Sequence, residues 1–481
     1  MRRSYFLFLL ALFLGGCSRG QEERPAAPTI EKAQAGGSGK DESKTAAAAE
    51  SERDLAIQLA RLTKSAEKHE RRGYFDQAAA ARKETLALIE KRYGADAWQT
   101  RSARLALSHS ARLQKLNAAQ KSVYLNGEAE EASAQQNWKR GARPTALAEI
   151  AHARAGAQHL WGPADYTVGN LLDQEAEWRQ AAGENAAAEK LARQALAIRE
   201  QVFTREHPDT IASISRLGLI LQMEKKYTEA EPLLAEAAQR SGVLWGETHI
   251  EYARQLNNLG MLEYDRMNLP LAIETLNKAL EIRQKNLPAN DPLIAHSLFN
   301  LGSAYFASKD YAAASPRLQQ ALNLFSPALG ESHAMTSLAR ANLGMSLLAE
   351  KKFAEAEILF RQDIKISQRA FGAQSPAVAE GLLRLGVLFC NQGRYPEAEP
   401  LVTLAVAIDR AALGMDHPVT KQAEQVAGLV RERLAAKANQ PAKVSVIQAA
   451  GQVIPQEAAP AVGPVLTPVP FPSNPKPRDG R

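Results

Sequence analysis

Residues 257–260 read Asn-Asn-Leu-Gly, residues 299–302 read Phe-Asn-Leu-Gly, and residues 341–344 read Ala-Asn-Leu-Gly, each 42 residues after the last. Outward from them the spacing holds through Gly218, Gly260, Gly302, Gly344, Gly386 and Gly428. Leu217, Leu259, Leu301, Leu343 and Leu385 precede the first five. A second column is Ala188, Ala230, Ala272, Ala314, Ala356 and Ala398. A third is Ile198, Ile282, Leu324, Ile366 and Ile408, broken by Arg240. A fixed period of this length is the mark of a stacked supersecondary unit.

Each unit reads as two helices. Pro208 to about Glu224 forms helix A, with Leu217, Gly218 and Leu221 at helical spacing. Lys225-Lys226-Tyr227 forms the turn, and Thr228 to Leu244 forms helix B, with Ala230, Leu233, Leu234 and Ala237 on one face. His207-Pro208, Asp291-Pro292, Ser375-Pro376 and His417-Pro418 put Pro at the first helical position, where its missing N–H costs nothing. Gly162, Gly246, Gly330, Gly372 and Gly414 fall where helix B ends, a place for a left-handed residue. The Gly column is expected to meet the Ala230 column of helix B in its own unit. The fold expected is an all-α solenoid of helix pairs.

Composition agrees. Aromatics are 6% of the 481 residues while apolar residues are 45%, which favours small-residue helix packing over a sheet. Lys and Arg number 59 against 53 Asp and Glu, too slight an excess for a nucleic-acid footprint. Two cysteines, Cys17 and Cys390, make neither a disulfide framework nor a zinc site. His207, His249, His333 and His417 share the column before helix A and read as helix-entry residues. Cys390 shares a column with Tyr264, Phe306 and Leu348 and reads as a small buried hydrophobe. No catalytic set, metal set, phosphate loop, cofactor site or small-molecule site is expected.

The Asn-Leu-Gly triplets at 258–260, 300–302 and 342–344, with Tyr395-Pro396-Glu397-Ala398, resemble the tetratricopeptide repeat. The 42-residue period and His-Pro-Asp-Thr at 207–210 resemble its kinesin-light-chain-like type. The resemblance covers about residues 52–436. Units fall near 52–94, 97–162, 165–204, 207–246, 249–288, 291–330, 333–372 and 375–414, with a capping helix at 417–436. Unit 97–162 is 26 residues longer than 165–204. The excess is expected at about 115–140, as an extended or broken helix that projects from the array.

The resemblance implies a right-handed superhelix whose A helices line a concave groove. Family positions around the Gly place Ser215, Arg254, Asn257, Met261, His296, Phe299, Ser303 and Met345 in that groove. Asn257 stands where kinesin-light-chain-like repeats place a peptide-binding Asn. Two residues before each Gly runs a ladder of Arg216, Asn258, Asn300, Asn342 and Arg384. Its amides either bond between units or grip the backbone of an extended peptide.

The first residues carry an address. Arg2 and Arg3 precede an apolar run from Tyr5 to Leu14, the plan of a signal peptide. Leu14-Gly15-Gly16-Cys17 resembles a bacterial lipobox, which implies cleavage after residue 16 and acylation of Cys17. Ser18 favours the outer membrane, facing the periplasm, over the inner one. Residues 17–51 read as a flexible tether and 437–481 as a disordered Pro/Ala-rich tail. The function expected is a non-enzymatic, lipid-anchored scaffold that captures segments of protein partners. The alternative is a structural spacer, or a regulator of an envelope enzyme acting through 97–162.

Overall fold

The computed structural model describes residues 39–439, and every regular element among them is a helix. α1 spans Gly39–Arg71, α2 Phe75–Tyr93, α3 Trp98–Gln114, α4 Ala118–Lys139, α5 Arg143–Trp161 and α6 Tyr166–Ala181. α7 spans Asn185–Val202, α8 Pro208–Met223, α9 Tyr227–Trp245, α10 Ile250–Asp265, α11 Leu269–Asn286 and α12 Pro292–Ala307. α13 spans Tyr311–Leu329, α14 Ala334–Ala349, α15 Phe353–Phe371, α16 Pro376–Asn391, α17 Tyr395–Leu413 and α18 Pro418–Asn439. The helices fall into two compact units, one up to Ser213 and one from Ile214 on. The signal peptide at 1–16, Cys17 and nearly all of the 437–481 tail lie outside the described residues. The 17–51 tether is corrected in part, because α1 begins at Gly39.

Helices pack as antiparallel pairs, α4 with α5, α6 with α7, α10 with α11, α12 with α13, α14 with α15 and α16 with α17. α18, the last described helix, packs on α17, and the column position Gly428 has nothing within 4 Å of a notional Cβ. The other column glycines are enclosed. A Cβ on Gly260 or Gly302 would lie 2.8 Å from Leu276 or Leu318, and one on Gly344 2.4 Å from Phe360. The Gly column therefore meets the helix-B residue one turn beyond the Ala column, which corrects the expected pairing. Ala230, Ala272, Ala314, Ala356 and Ala398 are each fully buried.

Backbone geometry explains the punctuation. Gly162, Gly246, Gly330, Gly372 and Gly414 have φ of 87–94° with ψ of 154–164°. That is not the left-handed helical well but a region that only glycine occupies readily. The A-to-B turn is different. It holds Gly73, Gly141, Gly183 and Gly393 at positive φ, but also Lys225, Met267, Lys309 and Lys351 at φ of 62–64°. A side chain there strains the backbone by about 1 kcal/mol. Replacing Lys225, Lys309 and Lys351 by Gly is expected to raise the unfolding free energy by about 0.5–1 kcal/mol each, read by urea denaturation.

The long unit departs from expectation. α4 and α5 form a regular pair joined by Gly141, so most of 115–140 is an ordinary helix A, Ala118–Lys139. The extra element is α3. It ends at Gln114 because Asn117 starts a new helix with a capping box: its side chain accepts from the Gln120 N–H at 2.9 Å, and the Gln120 side chain accepts from the Asn117 N–H at 3.1 Å.

Candidate functional site

The residues expected to line a groove are brought together, but mostly into the interior. Asn258 donates to Ser215 Oγ at 3.2 Å, Asn300 to Asn257 Oδ1 at 3.0 Å, and Asn342 to Ser303 Oγ at 3.3 Å. All six are buried. Each bond joins the A helices of neighbouring repeats, so the amide ladder is a set of staples between units. His296 and Phe299 are buried as well, and both pack edge-on against Phe325 at 4.9 and 6.4 Å between ring centroids. Burial drives the His296 pKa down to about 3, which keeps it neutral. Only Arg254, Met261 and Met345 of the expected set stay half-exposed, and Arg254 is held by Glu251 at 2.6 Å. The physical reason is packing. Helix α12 is buried without a break from Ile294 to Ala304, so its small and amide side chains have neighbours on every side.

The ladder changes character at its end. Arg384 and Arg340 both reach Asp363, at 3.3 and 3.1 Å, and Ser337 Oγ donates to the same carboxylate at 2.8 Å. The three charged groups are 2–5% exposed. Glu380 contacts Arg384 too, and burial pushes its carboxyl up to about 7 against the pull of that guanidinium. Asp409 is buried with Oδ1 unpartnered, and burial raises it to about 6.

The histidine column has a defined task. Nδ1 of His207, His249, His333 and His417 accepts the backbone N–H two residues on, at 3.1–3.3 Å. Asp165 and Asp291 cap the same position of their repeats through Oδ1. These imidazoles are helix N-caps and need an unprotonated Nδ1 to work.

Sequence reading missed α3. This helix lies over two such caps. Ser102 Oγ meets His207 Nε2 at 2.8 Å, and Trp98 stands edge-on to the same ring at 5.7 Å. His207 also stacks on Phe203 at 3.6 Å. Ten residues on, Arg112 pairs with Asp165 Oδ2 at 2.6 Å and covers Trp161 at 4.7 Å. Ser110 donates to buried Glu70, which also pairs with Arg82. The capping box at 117–120 was the available signal for a separate helix.

For chemistry the geometry offers little. No group of three or more His, Cys, Asp or Glu among the described residues could hold a metal ion. Cys390 is buried, which raises its thiol to about 11, far from a reactive thiolate. No helix among the described residues is long and apolar enough to cross a membrane.

A family model described as tetratricopeptide repeat matches residues 167–241, 251–326, 293–369 and 334–411. No curated protein matches. Among solved structures the chain is similar to a Podosopora anserina kinesin light chain with nearly identical TPR-like repeats. That likeness is 21% identical, covers 43% of this chain and 97% of that one, and has a TM-score of 0.41. BtubC from P. vanneervenii is 22% identical over 57% of this chain and 92% of its own, with a TM-score of 0.38. Aspartyl phosphate phosphatase F from Bacillus subtilis is 10% identical over 76% of this chain and 95% of its own, with a TM-score of 0.47.

Proposed function

Since the repeats of this chain are tetratricopeptide repeats, a protein-interaction scaffold, we propose that it is a lipid-anchored scaffold of the bacterial envelope. It holds protein partners by reversible contact and breaks no bonds. The observation that carries the scaffold is the described array itself, whose polar interior is spent on joining repeats. The anchor rests on the basic start, the apolar run and Leu14-Gly15-Gly16-Cys17. Acyl chains on Cys17 would hold it in the bilayer, at about 0.8 kcal/mol per buried CH₂. Ser18 supports an outer-membrane, periplasm-facing position. Partner contact falls on surface that the staples leave accessible, including Arg254, Met261 and Met345 on the A helices.

The test is crosslinking of intact cells followed by mass spectrometry, with wild type compared to Cys17→Ser. Wild type is expected in the membrane fraction with an acylated N-terminal peptide and a reproducible set of envelope partners. Cys17→Ser is expected to leave the membrane and lose them. A Cys17→Ser protein that keeps its location and partners overturns the anchor.

A further inference from the structure

Helix α1 carries its charge on one side. Ile57, Arg61, Lys64, Lys68 and Arg71 recur at helical spacing and fall within about 80° of arc at about 100° per residue. All five are exposed, and Arg72 follows in the turn, exposed as well. The opposite side faces inward, where Ala66 and Glu70 are buried and Leu55, Leu59 and Leu62 are half-buried. From 55 to 72 the exposed residues include five cations and no acid. Glu70 is turned inward to Arg82 and Ser110 and does not balance them. Arg71 reaches Glu128 only at 3.8 Å. Arg61, Lys64, Lys68 and Arg72 pair with no carboxylate among the described residues. Elsewhere helix arginines are matched to a carboxylate one turn away, as Arg193 is to Glu189, Arg240 to Glu236 and Arg361 to Glu357.

Both ends of this stripe are apolar. Ile57 is 56% exposed at one end, and Tyr74 is 52% exposed just past the other. Ile57 and Arg71 stand about 21 Å apart along the helix. A row of unmatched cations of that length suits a field of phosphate headgroups better than it suits one acidic side chain. The exposed Ile and Tyr suit the apolar layer and the headgroup level beneath it. Position in the chain points the same way. α1 begins at Gly39, 22 residues after Cys17, so acyl chains on Cys17 would hold this helix near a bilayer.

We propose that the basic stripe of α1 is a membrane-contact surface, which lays the first helix of the array along an anionic phospholipid bilayer. The cations take the phosphate groups, and Ile57 and Tyr74 enter the interface at the two ends. The stripe is then a second anchoring signal beside the acyl chains. Only the choice of a bilayer as the anionic surface rests on the anchor reading.

The test mixes the full-length Cys17→Ser chain with vesicles at low salt and follows co-sedimentation. One set of vesicles holds phosphatidylethanolamine and phosphatidylglycerol, the other phosphatidylcholine alone. The apolar run at 5–14 is common to every variant, so variants are compared with one another. Tighter binding to the phosphatidylglycerol vesicles is expected, and it weakens as salt rises. Arg61→Gln with Lys64→Gln and Lys68→Gln is expected to weaken it about a hundredfold, at about fivefold per cation near an anionic surface. The three side chains are exposed, so the variant keeps its fold, read by circular dichroism. Lys285→Gln with Lys365→Gln and Arg369→Gln removes the same charge from α11 and α15 and is expected to leave binding unchanged. No loss in the first variant, or equal loss in both, overturns the proposal. So does binding to soluble polyglutamate without binding to vesicles, which would make the partner an acidic protein. Stripe-dependent vesicle binding in a protein whose Cys17 proves unacylated in cells removes the anchor and leaves this surface standing. Acylated Cys17 without stripe-dependent binding does the reverse.

Discussion

Asp363→Ala is expected to destabilise the repeats around it by about 3–5 kcal/mol. Asp363 is the common partner of Arg340 and Arg384 and is 2% exposed. Removing it leaves Arg340 only the exposed Glu331 and Arg384 only Glu380, whose carboxyl burial already pushes up to about 7, and a buried charge short of its partner costs far more than a surface pair contributes. A whole domain is stable by only about 5–15 kcal/mol, so the loss is a large fraction. Ser337 would lose its acceptor as well. Urea denaturation should show the drop. Replacing Asp363, Arg340 and Arg384 together by leucines should cost less than Asp363→Ala alone, because no guanidinium is then left buried and Glu380, already raised to about 7 and freed of the pull of Arg384, stays protonated. Equal or greater loss in the triple variant would show that the site is held by packing.

Acid is expected to open the cap beneath α3. Burial pushes His207 down to about 4 from 6.5, helped by Arg199 and Arg101 and opposed by Asp209. Between those two values the unfolded chain binds a proton that the folded one does not. The stability is therefore complete above about pH 6.5 and is lost as pH falls towards 4. The full drop corresponds to about 3 kcal/mol, and about 2 kcal/mol is gone at pH 5. Protonation also turns the Nδ1 acceptor into a donor facing the helix N-terminus, where positive charge is unfavourable. His249 and His333 are lowered too, by burial, and add in the same direction. Glu380 and Asp409 run the other way, since their raised carboxyls gain stability as pH falls below about 7 and 6. A global melt would blend the two, so the measurement must be local. Hydrogen exchange of peptides over 98–114 and 200–212 should show about thirtyfold more opening at pH 5 than at pH 7, after correction for intrinsic rates. His207→Asn keeps a cap acceptor and does not titrate, so it should flatten the response. An unchanged response would place the acid sensitivity elsewhere.

The period, the helix pairs and the helix ends were legible in the sequence because each is fixed by a local backbone demand. Pro292 and Pro376 can open a helix but not sit inside one without cost. Gly162 and its equivalents occupy a conformation that other residues resist. What the sequence hid depends on long-range packing. The spacing of Asn258, Asn300 and Asn342 put them on one face, but not which neighbour that face would meet. Lys225, Lys309 and Lys351 share a left-handed turn conformation with Gly73, Gly141, Gly183 and Gly393, a common geometry that the differing residue types concealed. α3 was absorbed into a longer unit because neither Gly nor Pro separates Trp98–Gln114 from Ala118–Lys139. The break at Asn117 is marked by two hydrogen bonds and no proline.

The most direct measurement replaces Asn258, Asn300 and Asn342 by alanine together, and reads both thermal stability and cellular crosslinks. If the amides staple the repeats, each substitution costs about 1–3 kcal/mol through an unpaired buried partner. The melting temperature then falls, and partners persist at temperatures where the variant is folded. An unchanged melting temperature with loss of partners would contradict this. It would mean that the amides face the bound chain and that the groove first read from the sequence is the working surface.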